Sequence, residues 1–191
     1  RIYFVAEGSK CPAAAFLTEA ATDHPDEFAK LVSLLDHAAV HGLPKNKQKV
    51  VDKIGEACEV AKKWKCKMMC VVAGDDIPGV SQEQMHETTI EALKAAAPVA
   101  EKAGVMLILE PMNIRVDHKG HCLYGSAPTI KICQAVGSSH VKINWDLYHM
   151  QITEGDLCGH LKQGLESKTI GYLQLADHPG RHEPGTGEVH Y

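Results

Sequence analysis

Apolar residues along the chain fall into short continuous runs, separated by longer stretches with a helical period. Runs of this kind are typical of strands buried on both faces of a sheet. Five of them occur, over residues 2–6, 67–73, 105–109, 141–145 and 170–176. The strict alternation of such runs with helical stretches predicts an α/β fold, with a parallel sheet and right-handed crossovers.

Between the runs, apolar positions recur every 3.6 residues, as on one face of a helix. This pattern predicts helices over residues 47–63, 82–103, 127–136 and 156–165, and a less regular helix over 26–41 that follows a loop. Ser81 and Gln84 have the spacing of a capping box. Gly104 lies where a C-terminal cap belongs. The boundaries of the helix over 82–103 are therefore the best marked.

Two architectures share this alternation: an open doubly wound sheet and a closed (β/α)8 barrel. No Gly-x-Gly-x-x-Gly motif follows the first run, which disfavours a dinucleotide-binding sheet. Five strands cannot close a barrel of eight. The barrel interpretation therefore requires further strands outside these 191 residues.

Composition narrows the class of protein and its partners. A hydrophobic content of 45% suits a single folded domain, and the apolar runs are far shorter than the ~18 residues of a membrane span. The net charge of −4 disfavours a nucleic-acid backbone as partner. Seven cysteines without a Cys-x-x-Cys pair indicate reduced thiols, and hence a cytoplasmic protein.

The candidate chemistry lies where the predicted strands end. Glu110, Asp146 and Gln174 each stand at or near the carboxyl end of an apolar run. In a (β/α)8 barrel these ends gather at one mouth, where active sites are built. Carboxylate and amide oxygens suit a hard divalent cation, so we expect Mg²⁺ or Mn²⁺.

Four segments in order carry a family resemblance. They are Glu110-Pro111-Met112-Asn113, Asp146-Leu147-Tyr148-His149-Met150, the strand Gly171–Asp177 and the loop Pro179–Glu188. Together they resemble the hydroxypyruvate isomerases, within the xylose-isomerase-like (β/α)8 barrel family of sugar isomerases and epimerases. The resemblance is specific over residues 105–191 and looser before them.

The resemblance implies a single (β/α)8 barrel domain over residues 1–191, containing about strands three to seven and lacking its N-terminal and C-terminal portions. It also implies that Glu110, Asp146 and Gln174 hold the metal together with a glutamate ending strand eight, which these residues do not include. Glu110 would double as the catalytic base. His149, Arg181 and Glu183 would bind the substrate.

The implied reaction interconverts hydroxypyruvate and 2-hydroxy-3-oxopropanoate by proton transfer through an enediolate. A ketose 3-epimerase or other sugar isomerase is the main alternative, although a histidine in place of Gln174 would have favoured epimerisation. A zinc-dependent abasic-site nuclease and a non-catalytic binding relative are the others. We expect a small keto acid or sugar as partner, neither nucleic acid nor membrane, and leave a homo-oligomer open. His118 and His121 are expected in solvated loop, with the pocket rim as the alternative.

Overall fold

A computed structural model describes the strand at residues 2–6, without its side chains, and residues 47–191 in full. The helix predicted over 26–41 lies outside the described residues. The described elements, in chain order, are β1 (Ile2–Ala6), α1 (Lys47–Lys63), β2 (Cys66–Val72), α2 (Gln82–Ala103), β3 (Met106–Glu110), α3 (Ser126–Val136), β4 (Val141–Asp146), α4 (Leu147–Thr153), α5 (Leu157–Glu166) and β5 (Ile170–Gln174).

The five strands form one sheet in the order β1-β2-β3-β4-β5. Strands β2 to β5 run parallel, as the alternation of strands and helices predicted. In the register of the sheet, Glu110 on β3 pairs with Val72 on β2, and Asp146 on β4 pairs with Gln174 on β5. This register brings the carboxyl ends of the four parallel strands to one edge of the sheet, so polar residues at those ends become neighbours.

Strand β1 departs from the predicted parallel arrangement. It pairs with β2 in the antiparallel direction, with Ile2 opposite Val71 and Ala6 opposite Cys66. The parallel prediction was wrong for this strand. A short apolar run does not encode direction, and the outer edge of β2 offers backbone N–H and C=O groups that can pair with a strand of either direction.

The two faces of the sheet bury different kinds of side chain. Met69, Leu107 and Ile143 point to one face and join the hydrophobic core with residues from the helices, such as Leu93 and Ile132. Residues at the alternate positions of the same strands point to the opposite face, because successive side chains alternate along a strand. The alternate positions include the buried polar residues Glu110, Asn144 and Asp146.

Helix α4 was not predicted. It has seven residues, Leu147–Thr153, which is too short to show a clear period. Asp146 supplies its N-cap, because its Oδ1 atom accepts a hydrogen bond from the Tyr148 backbone N–H at 2.9 Å. The chain therefore turns into a helix directly after β4, and His149 lies in its first turn.

The other helices match their predictions within one residue. The capping box of Ser81 and Gln84 is formed, and Gly104 caps α2 in a left-handed conformation with a φ of 69°. Within the described residues, no helix combines the length and the hydropathy needed to cross a membrane.

Replacing Ser81 by alanine should lower the free energy of unfolding by about 1 kcal/mol, because the Gln84 backbone N–H would lose its side-chain acceptor. Ser81→Asp keeps an acceptor at this position and should stay close to the parent. Urea unfolding of the full-length protein measures both changes. Equal losses in the two variants would contradict the capping role.

Candidate active site

Glu110, Asp146 and His149 meet at the carboxyl edge of the sheet. Glu110 ends β3, Asp146 ends β4 and His149 lies on α4. The Nε2 atom of His149 lies 3.7 Å from Glu110 Oε1 and 3.7 Å from Asp146 Oδ2. The three side-chain atoms lie within 4.8 Å of one another, and all three residues are buried.

Glu110 is 3% exposed, and burial raises the pKa of its carboxyl group to about 7. The thiol of Cys70 donates a hydrogen bond to Glu110 Oε2 at 3.0 Å, which favours the ionised form. The nearby charge of Asp146 acts in the other direction, and that of Arg181 favours ionisation. A carboxyl group with a pKa near neutrality can both accept and release a proton under physiological conditions.

Asp146 is held by groups on two sides. Burial raises the pKa of its carboxyl group above the ordinary value, and the positive charge of Arg181 opposes that shift. Arg181 donates a hydrogen bond from Nη2 to Asp146 Oδ2 at 2.9 Å, while Oδ1 caps α4. The guanidinium carbon of Arg181 also lies 5.0 Å from the centre of the Tyr148 ring, a cation–π contact.

His149 is buried and neutral. Burial, with the positive charge of Arg181 as the second cause, lowers the pKa of its imidazole to about 3. Its Nδ1 atom lies 2.8 Å from Asn113 Nδ2, and its Nε2 atom faces the two carboxylates. The ring therefore has one edge in the protein interior and the other in the site.

Gln174 extends the same polar row across to β5. It is the register partner of Asp146, and its Oε1 atom accepts a hydrogen bond from Asn144 Nδ2 at 2.9 Å. Asn144 Nδ2 also lies 3.7 Å from the sulfur of Cys70. The structure therefore links Gln174 to Glu110 through Asn144 and Cys70. Its role as a metal ligand stays a prediction.

A buried carboxylate organises the loop after β5. Asp177 is fully buried and accepts hydrogen bonds from backbone N–H groups of its own loop. Three of these donors are His178 at 2.9 Å, Gly185 at 2.8 Å and Val189 at 3.0 Å. They hold the loop that carries Arg181 over Asp146. Glu183 lies on the same loop with its side chain exposed, and its substrate-binding role stays a prediction.

Several groups around the site were missed from the sequence. Cys70 contacts Glu110 directly, and only the two-residue alternation along β2 could have indicated that it faces the same side. His121 is buried, so the expectation of a solvated position was wrong for it. The His118 ring packs against that of His149, with centroids 5.3 Å apart. No role in the site was predicted for Tyr148.

The donor set fits a hard divalent cation. Glu110 Oε1 and Asp146 Oδ2 are anionic oxygens that face one region from adjacent strands. Burying two carboxylates side by side is costly, and a divalent cation would offset that cost. Among the described residues, Asn144 Oδ1 is a buried oxygen without a hydrogen-bond partner, so a further acceptor lies beside the pair.

Comparison with known proteins places the chain in a family. Residues 18–191 match the model of the xylose isomerase-like TIM barrel. The chain belongs to this family. The four parallel strands, three of which end on a polar residue, are one part of such a xylose isomerase-like TIM barrel.

Two curated relatives of this TIM barrel family are isomerases by name. Hydroxypyruvate isomerase of Escherichia coli is 36% identical over 149 residues, which is 78% of this chain and 57% of the relative. The 2-oxo-tetronate isomerase of Cupriavidus necator is 36% identical over 138 residues, 72% of this chain and 52% of the relative. This chain thus spans about half the length of the curated relatives it matches.

Among solved structures, one described as AP endonuclease, family 2, from Brucella melitensis superposes with a TM-score of 0.69 at 28% identity. The match covers 81% of this chain and 57% of that one. The shared fold thus supports the xylose isomerase-like barrel independently of the curated isomerases.

Replacing Glu110 by glutamine should stabilise the metal-free protein increasingly as the pH rises. The pKa of Glu110 is about 7 in the fold against an ordinary 4.5, so the unfolded chain releases this proton first. The stabilisation that the parent gains from its protonated form is therefore complete below about pH 4.5 and lost as the pH rises to about 7. The difference in free energy of unfolding should grow by on the order of 2–3 kcal/mol over this range.

Urea unfolding of the full-length protein at a series of pH values, with a chelator present, measures this difference. Glu87→Gln, an exposed position on α2, is the matched control and should show no such trend. A Glu110→Gln difference that stays constant across the series would contradict the elevated pKa.

Proposed function

We propose that this chain supplies much of the active site of a divalent-metal-dependent isomerase that interconverts hydroxypyruvate and 2-hydroxy-3-oxopropanoate. One observation carries the proposal: Glu110 and Asp146, two buried carboxylates on adjacent strands, converge with His149 at the carboxyl edge of the sheet. The 36% identity to hydroxypyruvate isomerase over 78% of the chain supports the choice of reaction.

Glu110 is proposed as the base. The reaction moves a proton from carbon 3 of hydroxypyruvate to carbon 2 through an enediolate, so a group that accepts a proton near neutral pH must lie beside the carbon. The pKa of about 7 meets that requirement. Because Oε2 is occupied by the Cys70 thiol, Oε1 is the oxygen that faces the site. Return of the proton to carbon 2 is assigned to the glutamate that the family resemblance implies at the end of strand eight.

Glu110, Asp146 and Gln174 would hold the metal, with Mg²⁺ or Mn²⁺ as the proposed ion. When bound, such a cation polarises the hydroxyl and carbonyl oxygens of the substrate and stabilises the negative charge of the enediolate. Oxygen donors favour these hard ions over softer ones. The first two residues present carboxylate oxygens to the same region, and Gln174 lies beside Asp146 in register.

Arg181 is proposed to bind the substrate carboxylate. One nitrogen of its guanidinium contacts Asp146, and 45% of its side-chain surface is exposed at the mouth of the site. A guanidinium carries five N–H donors in a planar fork, so further donors remain for a carboxylate. His149 would contact a substrate oxygen from the interior side, and Glu183 would approach from the loop.

A four-carbon keto acid is the second candidate substrate, because the 2-oxo-tetronate isomerase is equally similar at 36% identity. Both substrates are 2-oxo acids with a hydroxyl group on carbon 3, so the same residues would serve either reaction.

A nuclease is less well supported, since the net charge is −4 and a DNA backbone requires a basic face. The free cysteines among the described residues favour a cytoplasmic location. A homo-oligomer is compatible with the residues proposed for the site.

Glu110→Gln in the full-length protein should abolish exchange of the transferable C–H proton of the substrate with solvent. Glutamine keeps the volume and an oxygen for the metal but cannot accept a proton, so the rate should fall by on the order of 10²–10⁴. NMR measurement of hydroxypyruvate in D₂O at saturating Mg²⁺ follows the exchange. Exchange at near the parent rate would remove Glu110 as the base.

Asp146→Asn separates metal binding from proton transfer. Asp146 is proposed as a ligand only, so excess metal should restore part of the activity of this variant and none of that of Glu110→Gln. If excess metal restores both variants equally, the two residues do not have distinct roles.

Arg181→Ala should raise the KM for hydroxypyruvate much more than the KM for dihydroxyacetone, which has the same carbon skeleton without the carboxylate. The reason is that only the acid can form the bidentate contact. Arg181→Lys should show an intermediate effect, and Lys162→Ala, which removes an exposed positive charge on α5, should show none. Equal changes for both substrates would exclude the carboxylate-binding role.

A further inference from the structure

The interior edge of the His149 ring is approached by two N–H donors of one residue. The backbone N–H of Asn113 donates to His149 Nδ1 at 3.4 Å, and the side-chain Nδ2 of Asn113 lies 2.8 Å from the same atom. Asn113 is 0% exposed and His149 is 1% exposed, so water does not compete for this contact. A ring nitrogen that receives N–H donors must present a lone pair, and it therefore carries no hydrogen.

The orientation of the Asn113 amide is set by three further hydrogen bonds. Its Oδ1 atom accepts from the backbone N–H groups of Val116 at 3.0 Å and Asp117 at 3.1 Å. Its Nδ2 atom donates to Asp117 Oδ2 at 2.8 Å. A reversed amide would place its oxygen against the Asp117 carboxylate and its NH₂ group against two N–H donors. All three contacts therefore exclude the reversed orientation.

Asp117 is itself held in place. Its Oδ2 atom also accepts a hydrogen bond from the hydroxyl group of Tyr148 at 2.7 Å. Tyr148 is the neighbour of His149 on α4 and is 2% exposed. The hydrogen bonds therefore run in one continuous chain. Tyr148 and Asn113 both donate to Asp117, and Asn113 also donates to His149.

We propose that Asn113 is a positioning residue that holds His149 as the Nε2–H tautomer, so that His149 donates a hydrogen bond to a substrate oxygen and is not a ligand of the metal. The single hydrogen of a neutral imidazole must be on Nε2 when Nδ1 is an acceptor. A nitrogen that bears a hydrogen has no lone pair for a cation. The proposal rests on the proposed function, since it names the role of His149 in that site.

The position of Nε2 agrees with an N–H group that donates to a substrate oxygen and not to either carboxylate. It lies 3.7 Å from Glu110 Oε1 and 3.7 Å from Asp146 Oδ2, which is too long for a hydrogen bond to either. An oxygen of the substrate bound beside the two carboxylates would lie within reach of the N–H group. A neutral imidazole that donates to the carbonyl oxygen stabilises the negative charge which that oxygen gains in the enediolate.

Nitrogen-15 NMR of the histidine rings tests the tautomer without reference to activity. The full-length protein is labelled with ¹⁵N in histidine, and the His149 signals are assigned as those lost in His149→Gln. In the parent at neutral pH, we expect the attached hydrogen on Nε2 and none on Nδ1. A hydrogen on Nδ1 of the parent would overturn the proposal, even if no variant folds.

Asn113→Asp replaces the side-chain donor that faces His149 Nδ1 by an acceptor, with almost no change in side-chain volume. A carboxylate only accepts hydrogen bonds, so it should draw the hydrogen to Nδ1 and leave the lone pair on Nε2. Tyr148→Phe is the matched control: it removes the outermost donor of the chain and leaves Asn113 intact, so the tautomer should stay as in the parent. Retention of the Nε2–H tautomer in Asn113→Asp would show that Asn113 does not determine it.

Two measurements separate this proposal from the proposed function. At saturating metal, Asn113→Asp should lower kcat for hydroxypyruvate by on the order of 10²–10³, the effect of losing a donor to a developing oxyanion. His149→Gln should leave the Kd for Mn²⁺ close to the parent value, and a large weakening would make His149 a ligand and overturn the proposal. If the parent has the Nε2–H tautomer but does not isomerise hydroxypyruvate, the proposed function is refuted and the tautomer is kept. If the parent isomerises hydroxypyruvate but has the hydrogen on Nδ1, the tautomer alone is refuted.

Discussion

The burial of two carboxylates on adjacent strands is the constraint on which this structure depends. Glu110 and Asp146 are 3% and 1% exposed and face the same region beside His149. Removing a carboxylate from water costs several kcal/mol unless partners replace the lost hydration. The surrounding residues supply those partners: the Cys70 thiol binds one carboxylate, and Arg181 binds the other.

Asp146 couples the fold to the site, because its two oxygens have different partners. Oδ1 caps α4, and Oδ2 receives Arg181 and faces the position proposed for the metal. The cap turns the chain into a helix immediately after β4, and that helix brings His149 back over the strand end. Loss of both oxygens at Asp146 would therefore alter both the charge of the site and the path of the backbone that carries His149, whereas asparagine keeps an acceptor for the cap.

Hydrogen-bonded polar groups hold the site from behind. Asp177 is fully buried and accepts backbone N–H groups of the loop that carries Arg181. Asn113 and Asp117 form the hydrogen-bonded chain behind His149. Networks whose members are hydrogen-bonded to one another restrict side chains to one arrangement. The groups proposed for catalysis are therefore positioned before any substrate enters, which is the condition for electrostatic stabilisation of a developing charge.

Much of this arrangement could be predicted from the sequence, because it depends on local patterns. The apolar runs and the helical period predicted the strands and helices from residue 47 onward within a few residues, with the exception of α4. The polar residues that end those runs indicated Glu110, Asp146 and Gln174 as candidate site residues. The motif resemblance identified the family that comparison then confirmed. These features are encoded by residues that are close together in the sequence, so the sequence alone predicts them.

Tertiary structure alone decided the features that join distant segments. The antiparallel direction of β1, the contact of Cys70 with Glu110 across 40 positions and that of Asn113 with His149 across 36 have no local signature. The short helix α4 depends on a cap at the end of a strand, and periodicity cannot detect seven residues. The residue types of the site were readable from the sequence. Its hydrogen bonds, burial and pKa values arise only when the strand ends and loops meet, because each depends on groups that the chain brings together from far apart.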